Sequence, residues 1–140
     1  MIFALKVRLV SGAYATSKWE GVIEIDPSST LEELHFAIQS AVSFDNDHLY
    51  EFFSARTERS RERISFDDEN GALYEKTIES LFPLPEKHNL YYLFDYGDYW
   101  IFKVAKTKAP KVPPDSDSHY PRLAHEDGEK PDQYPPTEEW

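Results

Sequence analysis

Two short stretches near the start of the chain alternate between apolar and polar positions. In residues 2–10 the odd positions are all apolar, whereas the even positions include two cations. Residues 19–25 repeat the pattern, with apolar residues or glycine at the odd positions and Glu20 and Glu24 between them. Because the side chains of a strand point alternately to its two faces, each stretch predicts a strand with one buried face. A glycine lies in the connection, so we expect the two strands to form a hairpin with a longer loop.

A helix is predicted directly after a turn at residues 26–29. Thr30 and Glu33 have the spacing of a capping box, in which the Thr hydroxyl accepts from the third helical amide and the Glu side chain reaches back. The mostly apolar positions that follow recur at helical spacing and form one stripe: Leu31, Leu34, His35, Ile38 and Val42. The sequence therefore predicts a helix that begins after Thr30 and buries one face.

Three further strands are predicted along the body of the chain. Residues 49–54 form a plausible strand, and the nearly all-apolar residues 90–94 predict a central one. Tyr96 and Gly97 then predict a turn in which Gly97 takes a positive φ, because glycine adopts that conformation at little cost. Residues 100–104 alternate and predict the return strand.

The chain between the third and fourth predicted strands is less regular. Residues 55–72 predict an irregular connection with a turn at Asn70-Gly71. The apolar spacing of residues 73–82 predicts a short helix, which the prolines after it stop.

The predicted order is strand, strand, helix, strand, short helix, strand, strand. This order is typical of the α+β class, so we expect a single domain in which one main helix covers a mixed β-sheet. The opening hairpin followed by a capped helix resembles the β-grasp arrangement.

Composition divides the chain into a body and a tail. Residues 1–110 carry 12 basic and 18 acidic side chains, whereas residues 111–140 carry three basic and eight acidic side chains and six of the ten prolines. The few apolar residues of the tail cannot offset the entropy of ordering a core of its own. The tail is therefore either disordered or an extended strap anchored by Tyr120, Tyr134 and Trp140. We expect it to be partly docked, with one domain overall.

Charge and composition exclude several classes of protein. The 140-residue chain has a formal net charge of −11, which repels a polyphosphate backbone and argues against general nucleic-acid binding. It has no cysteine, which excludes disulfides, a Cys-ligated zinc site and a thiol nucleophile. No apolar run approaches the about 20 residues of a membrane span, and charges interrupt the start of the chain where a signal peptide is apolar. We expect a cytoplasmic protein that binds no membrane and needs no cofactor.

Three segments together resemble a known family. TLEELHFAIQ at residues 30–39 and HLYEF at residues 48–52 are similar to the family patterns TLxxLHxxIQ and HLxxF. FDYGDYW at residues 94–100 is similar to YDFGDxW, and YPR at residues 120–122 is similar to a YPR motif near the end. Over about residues 2–136 the chain resembles the family named for the third open reading frame of the plasmid pRiA4b, the ORF-3-like proteins.

The resemblance implies a single α+β domain of a kind found in bacteria and archaea, and it implies no established activity. The sequence departs from the family in two places. Glu20 and Gly21 follow Trp19 where the family usually has two arginines, and no cysteine follows Arg122 where many members have one. A cationic or metal site built on those positions is therefore not implied for this chain.

Two histidines in the first motif are candidate site residues. His35 falls on the buried stripe of the predicted helix, where a histidine is usually an imidazole hydrogen-bonded within the core. His48 follows Asp45 and Asp47, which suggests a metal site, although the Gly and terminal Glu of a calcium loop are absent. Asp-rich residues after a helix are also ordinary turn formers.

The other two motifs supply the remaining candidates. Asp95 and Asp98 either cap the turn between them through backbone amides, or lie close enough to share a proton or chelate a hard cation. Trp100 alternates with apolar residues, which favours a core or groove wall over ligand stacking. Tyr120 can bury its ring against the body. Arg122 can latch the tail by gripping Asp95 or Asp98 in a bidentate pair.

Four arginines within residues 56–63 form a local cationic patch. Such a run is usually an exposed loop or a strand end, and acidic neighbours weaken the alternative that it binds nucleic acid.

Nothing in the sequence requires an enzyme, since it has no nucleophile elbow, Gly-rich phosphate loop or His pair at metal-binding spacing. We therefore expect a non-enzymatic module that binds a protein or peptide partner. Its candidate binding cluster consists of His35, His48, Asp95, Asp98, Trp100, Tyr120 and Arg122. One alternative is a metal-dependent hydrolase or nuclease that uses the two histidines and two aspartates of that cluster. The other is a DNA-associated accessory protein of mobile elements.

Overall fold

The strands form one antiparallel sheet in the computed structural model, which describes residues 1–108 and 112–136. The strands are β1 Phe3–Ser11, β2 Trp19–Ile25, β3 Tyr50–Ala55, β4 Ile64–Phe66, β5 Asn89–Phe94, β6 Trp100–Lys106 and β7 Arg122–Gly128. The helices are α1 Leu31–Val42, α2 Ala72–Glu75 and α3 Ile78–Leu81. Across the sheet the order is β4-β3-β5-β6-β1-β2-β7, so β4 and β7 form the two edges.

The predicted opening hairpin is confirmed. β1 and β2 pair antiparallel from Phe3 opposite Ile25 to Arg8 opposite Glu20. The odd positions of both strands are buried, with the exception of the last position of β1, as the alternation predicts. The hairpin between β5 and β6 is confirmed as well, and β5 lies between β3 and β6, inside the sheet.

The capping box of α1 is confirmed in both directions. The Glu33 amide donates to the Thr30 hydroxyl, at 3.3 Å, and the Thr30 amide donates to the Glu33 carboxylate, at 3.2 Å. The helix ends at Ser43, which takes a left-handed conformation and donates its amide back to the last turn. The predicted stripe is buried, so α1 contributes Leu31, Leu34 and Ile38 to the main core.

The predicted mixed sheet is wrong, because every pair of neighbouring strands within the described residues is antiparallel. The segment through α1 carries the chain from β2 to β3, but β1, β6 and β5 lie between these two strands in the sheet, so the crossover creates no parallel pair. The comparison with the β-grasp is not supported by this sheet. The covering of the sheet by one main helix is not confirmed, since Leu73, Ile78 and Leu81 of the short helices share the main core with α1.

Three local predictions also need correction. The irregular connection at residues 55–72 contains β4, which pairs with β3. The single short helix predicted at residues 73–82 is two single-turn helices, α2 and α3. Gly97 does not take the positive φ of its turn; Asp95 at 66° and Tyr99 at 58° take it instead.

The tail adds the edge strand β7, which pairs with β2 from Glu24 opposite Arg122 to Trp19 opposite Gly128. Gly128 ends this strand with a φ of +85°, and a Cβ there would lie 2.1 Å from the Lys18 carbonyl oxygen, so only glycine permits the approach. Trp140, a predicted anchor of the tail, lies outside the described residues.

The two faces of the sheet differ in what packs on them. The main core fills the face toward α1. On the opposite face a second, smaller cluster of buried side chains lies beside Val10: Phe53, Ala55, Tyr91, Leu93 and Ile101. This second face, called the open face below, is the one on which the sheet presents its charged positions. Among the described residues, no helix is long and apolar enough to cross a membrane.

Candidate functional site

A closed ring of hydrogen bonds surrounds His35 in the core. His35 Nδ1 lies 2.5 Å from the Tyr92 hydroxyl, and His35 Nε2 lies 2.7 Å from the Asn46 side-chain oxygen. Gln39 closes the ring, because its amide donates to the Tyr92 hydroxyl at 2.9 Å and its oxygen accepts from the Asn46 backbone amide at 2.9 Å. We call these four residues, His35, Gln39, Asn46 and Tyr92, the buried polar ring.

The ring defines one tautomer of His35. Asn46 offers an oxygen, so Nε2 carries the proton; the Tyr92 hydroxyl accepts from Gln39 and donates its own proton to Nδ1. The imidazole also stacks on Tyr50 with ring centroids 3.6 Å apart. Burial lowers the pKa of His35 to about 4, and the Asn46 bond only partly opposes this. His35 is therefore neutral and satisfied, as expected of a core histidine.

His48 lies nearer the surface, where a segment of the tail docks. Its Nε2 is 2.9 Å from the Tyr134 hydroxyl, and Tyr134 also donates to the Asp47 carboxylate. The buried Gln133 receives the Asp45 amide at 2.7 Å and donates to Asp47 at 2.8 Å. We call Asp47, His48, Gln133 and Tyr134 the tail latch, because two of these residues come from the tail and two from the loop after α1.

The hydrogen bond between Tyr134 and Asp47 in the tail latch shifts the pKa values of both residues. The bond from Tyr134 lowers the pKa of the Asp47 carboxyl, and the same bond raises the pKa of Tyr134 to about 12. Both groups are consequently held in the states that the hydrogen bond requires.

Asp95 is buried and caps its turn. Its Oδ1 accepts from the Gly97 amide at 2.9 Å and from the Asp98 amide at 3.3 Å, which is the backbone-capping alternative of the two considered for this pair. Its Oδ2 lies 3.4 Å from His48 Nε2. One carboxylate oxygen of Asp95 is thus committed to holding the turn.

Trp100 and Asp98 lie on either side of this turn. Trp100 is fully buried and packs on Phe44 at a centroid distance of 5.0 Å, so it is a core residue. Asp98 accepts the Ala13 amide through its backbone carbonyl. Asp98 also lines a cavity of about 510 Å³, together with Arg59.

Tyr120 and Arg122 lie away from the other candidates. Arg122 does not grip Asp95 or Asp98; its Nε donates to Glu24 at 2.5 Å, because the pairing of β7 with β2 sets these two residues opposite each other. Its guanidinium also donates to Ser118 at 2.7 Å. The Tyr120 hydroxyl accepts the Asp115 amide at 3.1 Å. The contact through which Arg122 holds the tail therefore forms between β7 and β2, at the edge of the sheet.

The described residues offer little for catalysis. They contain no group of three or more His, Cys, Asp or Glu residues arranged to hold a metal ion. The Ser54 hydroxyl lies 2.8 Å from His88 Nδ1, as in a nucleophile and base pair. Ser54 is, however, only 1% exposed, so its oxygen cannot meet a substrate.

A groove opens on the other face of the sheet. It has a volume of about 750 Å³, and its lining combines strand residues, the start of β2, the end of β7 and one residue of the arginine-rich loop: Arg8, Leu9, Val10, Lys18, Trp19, Glu20, Glu58, Asp127 and Gly128. We call it the open-face groove. None of these residues belongs to the candidate cluster predicted from the sequence.

Charge changes sign across the strands that form the open-face groove. Arg8 lies opposite Lys103 of β6 on one side and opposite Glu20 of β2 on the other, and Glu20 lies opposite Asp127 of β7. Residues directly opposite each other share a face. Two cations therefore neighbour two carboxylates, and within the described chain none of the four lies within 4.0 Å of an oppositely charged partner in an ion pair.

The sequence matches the family described as plasmid pRiA4b ORF-3-like protein over residues 2–133. The chain belongs to this family. Among solved structures it is similar to the crystal structure of the protein of unknown function MM3350 from Methanosarcina mazei Go1, at 23% identity and a TM-score of 0.70. That match covers 89% of this chain and 68% of the other, and it supports the fold alone. No curated protein matches the sequence.

The family motifs therefore map largely onto structural contacts. His35, His48, Asp95 and Trp100 converge around Phe94, as expected for a cluster, whereas Tyr120 and Arg122 lie at the far edge of the sheet. Sequence reasoning missed the partners of the motif residues and the groove. The polar residues Gln39, at the end of the TLEELHFAIQ segment, and Asn46, in the loop after it, can be read from the sequence. No local pattern indicates that Arg8 and Asp127 line a groove.

Proposed function

We propose that this chain is a non-enzymatic module that binds a peptide segment of a partner protein in the open-face groove. The observation that supports the proposal is the groove itself: about 750 Å³, on the face away from α1, with unpaired charges of both signs beside the apolar Val10. This volume lies in the range of about 300–1,000 Å³ that is usual for binding sites. A family without an established function is consistent with such a role.

The occupant follows from the charge arrangement. Arg8 and Lys103 favour an acidic side chain on the β1 side, while Glu20 and Asp127 favour a basic side chain toward β7. Val10 lies two residues beyond Arg8 on the same face of β1 and packs against the second cluster of buried residues, so an apolar side chain beside the charged ones would cover it. The matching ligand is therefore a short peptide that carries an acidic, a basic and an apolar residue.

A binding role also agrees with the contrast in the polar residues. The polar side chains on the main-core side, in the buried polar ring and the tail latch, bond to one another. These side chains are held by one another, whereas the groove charges Arg8, Glu20 and Asp127 have no ion-pair partner among the described residues and are available to a ligand.

Selection of peptides from a random displayed library tests the proposal, followed by titration of synthetic peptides and by amide chemical-shift mapping. We expect peptides that carry all three kinds of side chain to be enriched. Their binding should shift the amides of residues 8–10, 18–20 and 127–128. Arg8→Glu should weaken binding about tenfold, because one favourable charge contact becomes a repulsive one.

A charge exchange distinguishes recognition from general electrostatics. Arg8→Glu should regain affinity for a peptide whose acidic residue is replaced by lysine. Lys76→Glu is the matched control, since it makes the same charge reversal at an exposed residue after α2. Equal loss of binding in both variants, or shifts confined to α1 and the tail latch, would contradict the proposal. No comparable observation favours the metal-dependent hydrolase or the DNA-associated accessory protein.

A further inference from the structure

The arginine-rich loop forms a second cavity, distinct from the open-face groove. Its volume is about 660 Å³, and the residues lining it are mostly cationic or polar: Arg56, Ser60, Arg61, Glu62, Arg63, Ile64 and His88. We call it the arginine basin. Three guanidinium groups face one carboxylate there, in a protein whose formal net charge is −11.

Arg63 is held in a defined position within the basin. Its Nε donates to the Ser60 carbonyl at 3.0 Å, and its guanidinium carbon lies 3.9 Å from the centre of the Phe53 ring. These contacts fix the plane of the guanidinium while leaving its two terminal nitrogens for another acceptor. A side chain that is positioned before binding loses less entropy when a ligand arrives.

His88 completes the opposite wall. Its Nδ1 lies 2.8 Å from the hydroxyl of the buried Ser54, which orients the ring. Within the described residues, His88 Nε2 has no hydrogen-bond partner, and it is the nitrogen left for a ligand. The neighbouring Asn89 amide donates to the Arg56 carbonyl at 3.1 Å and ties the loop to the start of β5.

The cations of the basin are not neutralised internally. No carboxylate lies within 4.0 Å of Arg56, Arg61 or Arg63 among the residues that the structure describes. The three arginines against Glu62 leave a surplus of two positive charges. Charges elsewhere on the protein are largely screened beyond about 8 Å at physiological ionic strength, so the local surplus determines what binds.

We infer that the arginine basin is a binding site for a phosphate monoester. A phosphate monoester carries a charge of about −1.5 to −2 at pH 7 and three acceptor oxygens, which matches the surplus charge and the guanidinium donors. A single carboxylate carries half of that charge. A nucleic-acid backbone would need a longer row of cations, and the acidic remainder of the chain repels it.

Titration of the full chain with inorganic phosphate and with a phosphoserine-containing peptide tests this site at constant ionic strength. Arginine side-chain resonances report which guanidinium groups respond. We expect both ligands to shift the Arg61 and Arg63 signals. Tighter binding of the peptide than of free phosphate would identify a phosphorylated side chain as the source, and equal binding would identify free phosphate.

Matched variants distinguish a defined phosphate site from nonspecific attraction to the positively charged loop. Arg61→Gln removes an exposed basin arginine and should weaken phosphate binding about tenfold. Arg59→Gln removes the same charge from the same loop, but Arg59 lines a neighbouring cavity that shares only Arg63 with the basin, so binding should weaken much less than in Arg61→Gln. Arg63→Gln should also weaken binding, with the amide spectrum showing that the loop keeps its fold.

Equal weakening by Arg59→Gln and Arg61→Gln would overturn the inference, because it would show attraction to loop charge alone. Preference for acetate over phosphate, or tighter binding of a single-stranded oligonucleotide than of the phosphopeptide, would overturn it as well. The peptide proposed for the open-face groove is unphosphorylated and tested through Arg8, so failure of one site leaves the other standing.

Discussion

The buried polar ring and the arginine basin are both built from polar side chains, but they use their bonding capacity in opposite ways. In the ring, His35 has a partner on each nitrogen, and Tyr92 both donates and accepts. In the basin, three guanidinium groups line one cavity, and within the described chain none has a carboxylate partner. A satisfied network stabilises the fold, whereas unpaired charges at a surface remain available to a ligand.

The difference teaches how a family motif can mark structure instead of chemistry. The motif residues His35, Asp95 and Trp100 are 5% exposed or less. Both ring nitrogens of His35 have hydrogen-bond partners, and one carboxylate oxygen of Asp95 accepts two backbone amides. The basin arginines belong to none of the three motifs. A search for function guided by the motifs alone would therefore miss the arginine basin.

Truncation of the ring and truncation of the basin should differ most in their effect on stability. His35→Ala removes the ring stacked on Tyr50 and leaves the Tyr92 hydroxyl proton and the Asn46 side-chain oxygen without their partner, so we expect a loss of about 4 kcal/mol in the free energy of unfolding. Arg61→Ala should change it by less than about 0.5 kcal/mol. Urea denaturation measures both. Similar losses in the two variants would show that the basin is structural too.

The pH dependence of stability provides a second contrast. The pKa of His35 is lowered to about 4 in the folded chain, against about 6.5 when unfolded. The unfolded state therefore binds the proton first as the pH falls. The contribution of His35 is complete above about pH 6.5 and is lost as the pH falls, by about 3 kcal/mol at pH 4.

Urea denaturation between pH 8 and pH 4 should show this loss for the wild type and not for His35→Gln. Asp47 also has a lowered pKa, but its contribution is lost only below its ordinary value of 3.8, outside this window. Parallel pH profiles for the two proteins would mean that His35 is protonated in the folded core.

Removal of one hydroxyl tests whether the ring is closed. Tyr92→Phe keeps the aromatic packing but leaves His35 Nδ1 and the Gln39 amide without their shared partner. We expect a loss of about 2 kcal/mol, the cost of leaving buried polar groups unsatisfied. Tyr91→Phe, on the neighbouring position of β5, is the control and should cost less than half as much. Equal costs would mean that Gln39 finds another acceptor.

The sequence predicts the opening hairpin and the start of α1 better than it predicts the tail, for a physical reason. Capping and alternation are local rules, so Thr30 and the bounds of β2 follow from neighbouring residues. β7 carries one large apolar side chain, Leu123, in seven residues, and it is a strand because the backbone of β2 offers hydrogen bonds. No local pattern records such pairing. The docking of Gln133 on Asp47 is likewise a contact across 86 residues.

The same limit applies to the arginine basin. Its arginines were visible as a cationic run, but His88 joins them only because β3 and β5 are neighbours in the sheet. At Gly97 the sequence gives a wrong prediction, because the general preference of glycine for a positive φ does not decide the conformation of this turn. The carboxylate of Asp95 accepts the Gly97 amide and holds the turn, so the positive φ falls on Asp95 and Tyr99 instead.

Removal of the ion pair between Arg122 and Glu24 should have the smallest effect on stability. It tests whether this pair behaves as a solvent-screened surface contact or as a buried one. The Arg122 side chain is 43% exposed, so solvent and salt screen the pair although its atoms lie 2.5 Å apart. A double-mutant cycle with Arg122→Gln and Glu24→Gln should give a coupling of about 0.5 kcal/mol that decreases in 1 M salt. Thermal or urea unfolding of the four proteins measures it. A coupling above about 2 kcal/mol that salt does not reduce would place Arg122 with the buried polar ring, because only a desolvated pair resists screening. The expected small value instead means that β7 is held mainly by its backbone pairing with β2 and by the tail latch beyond it.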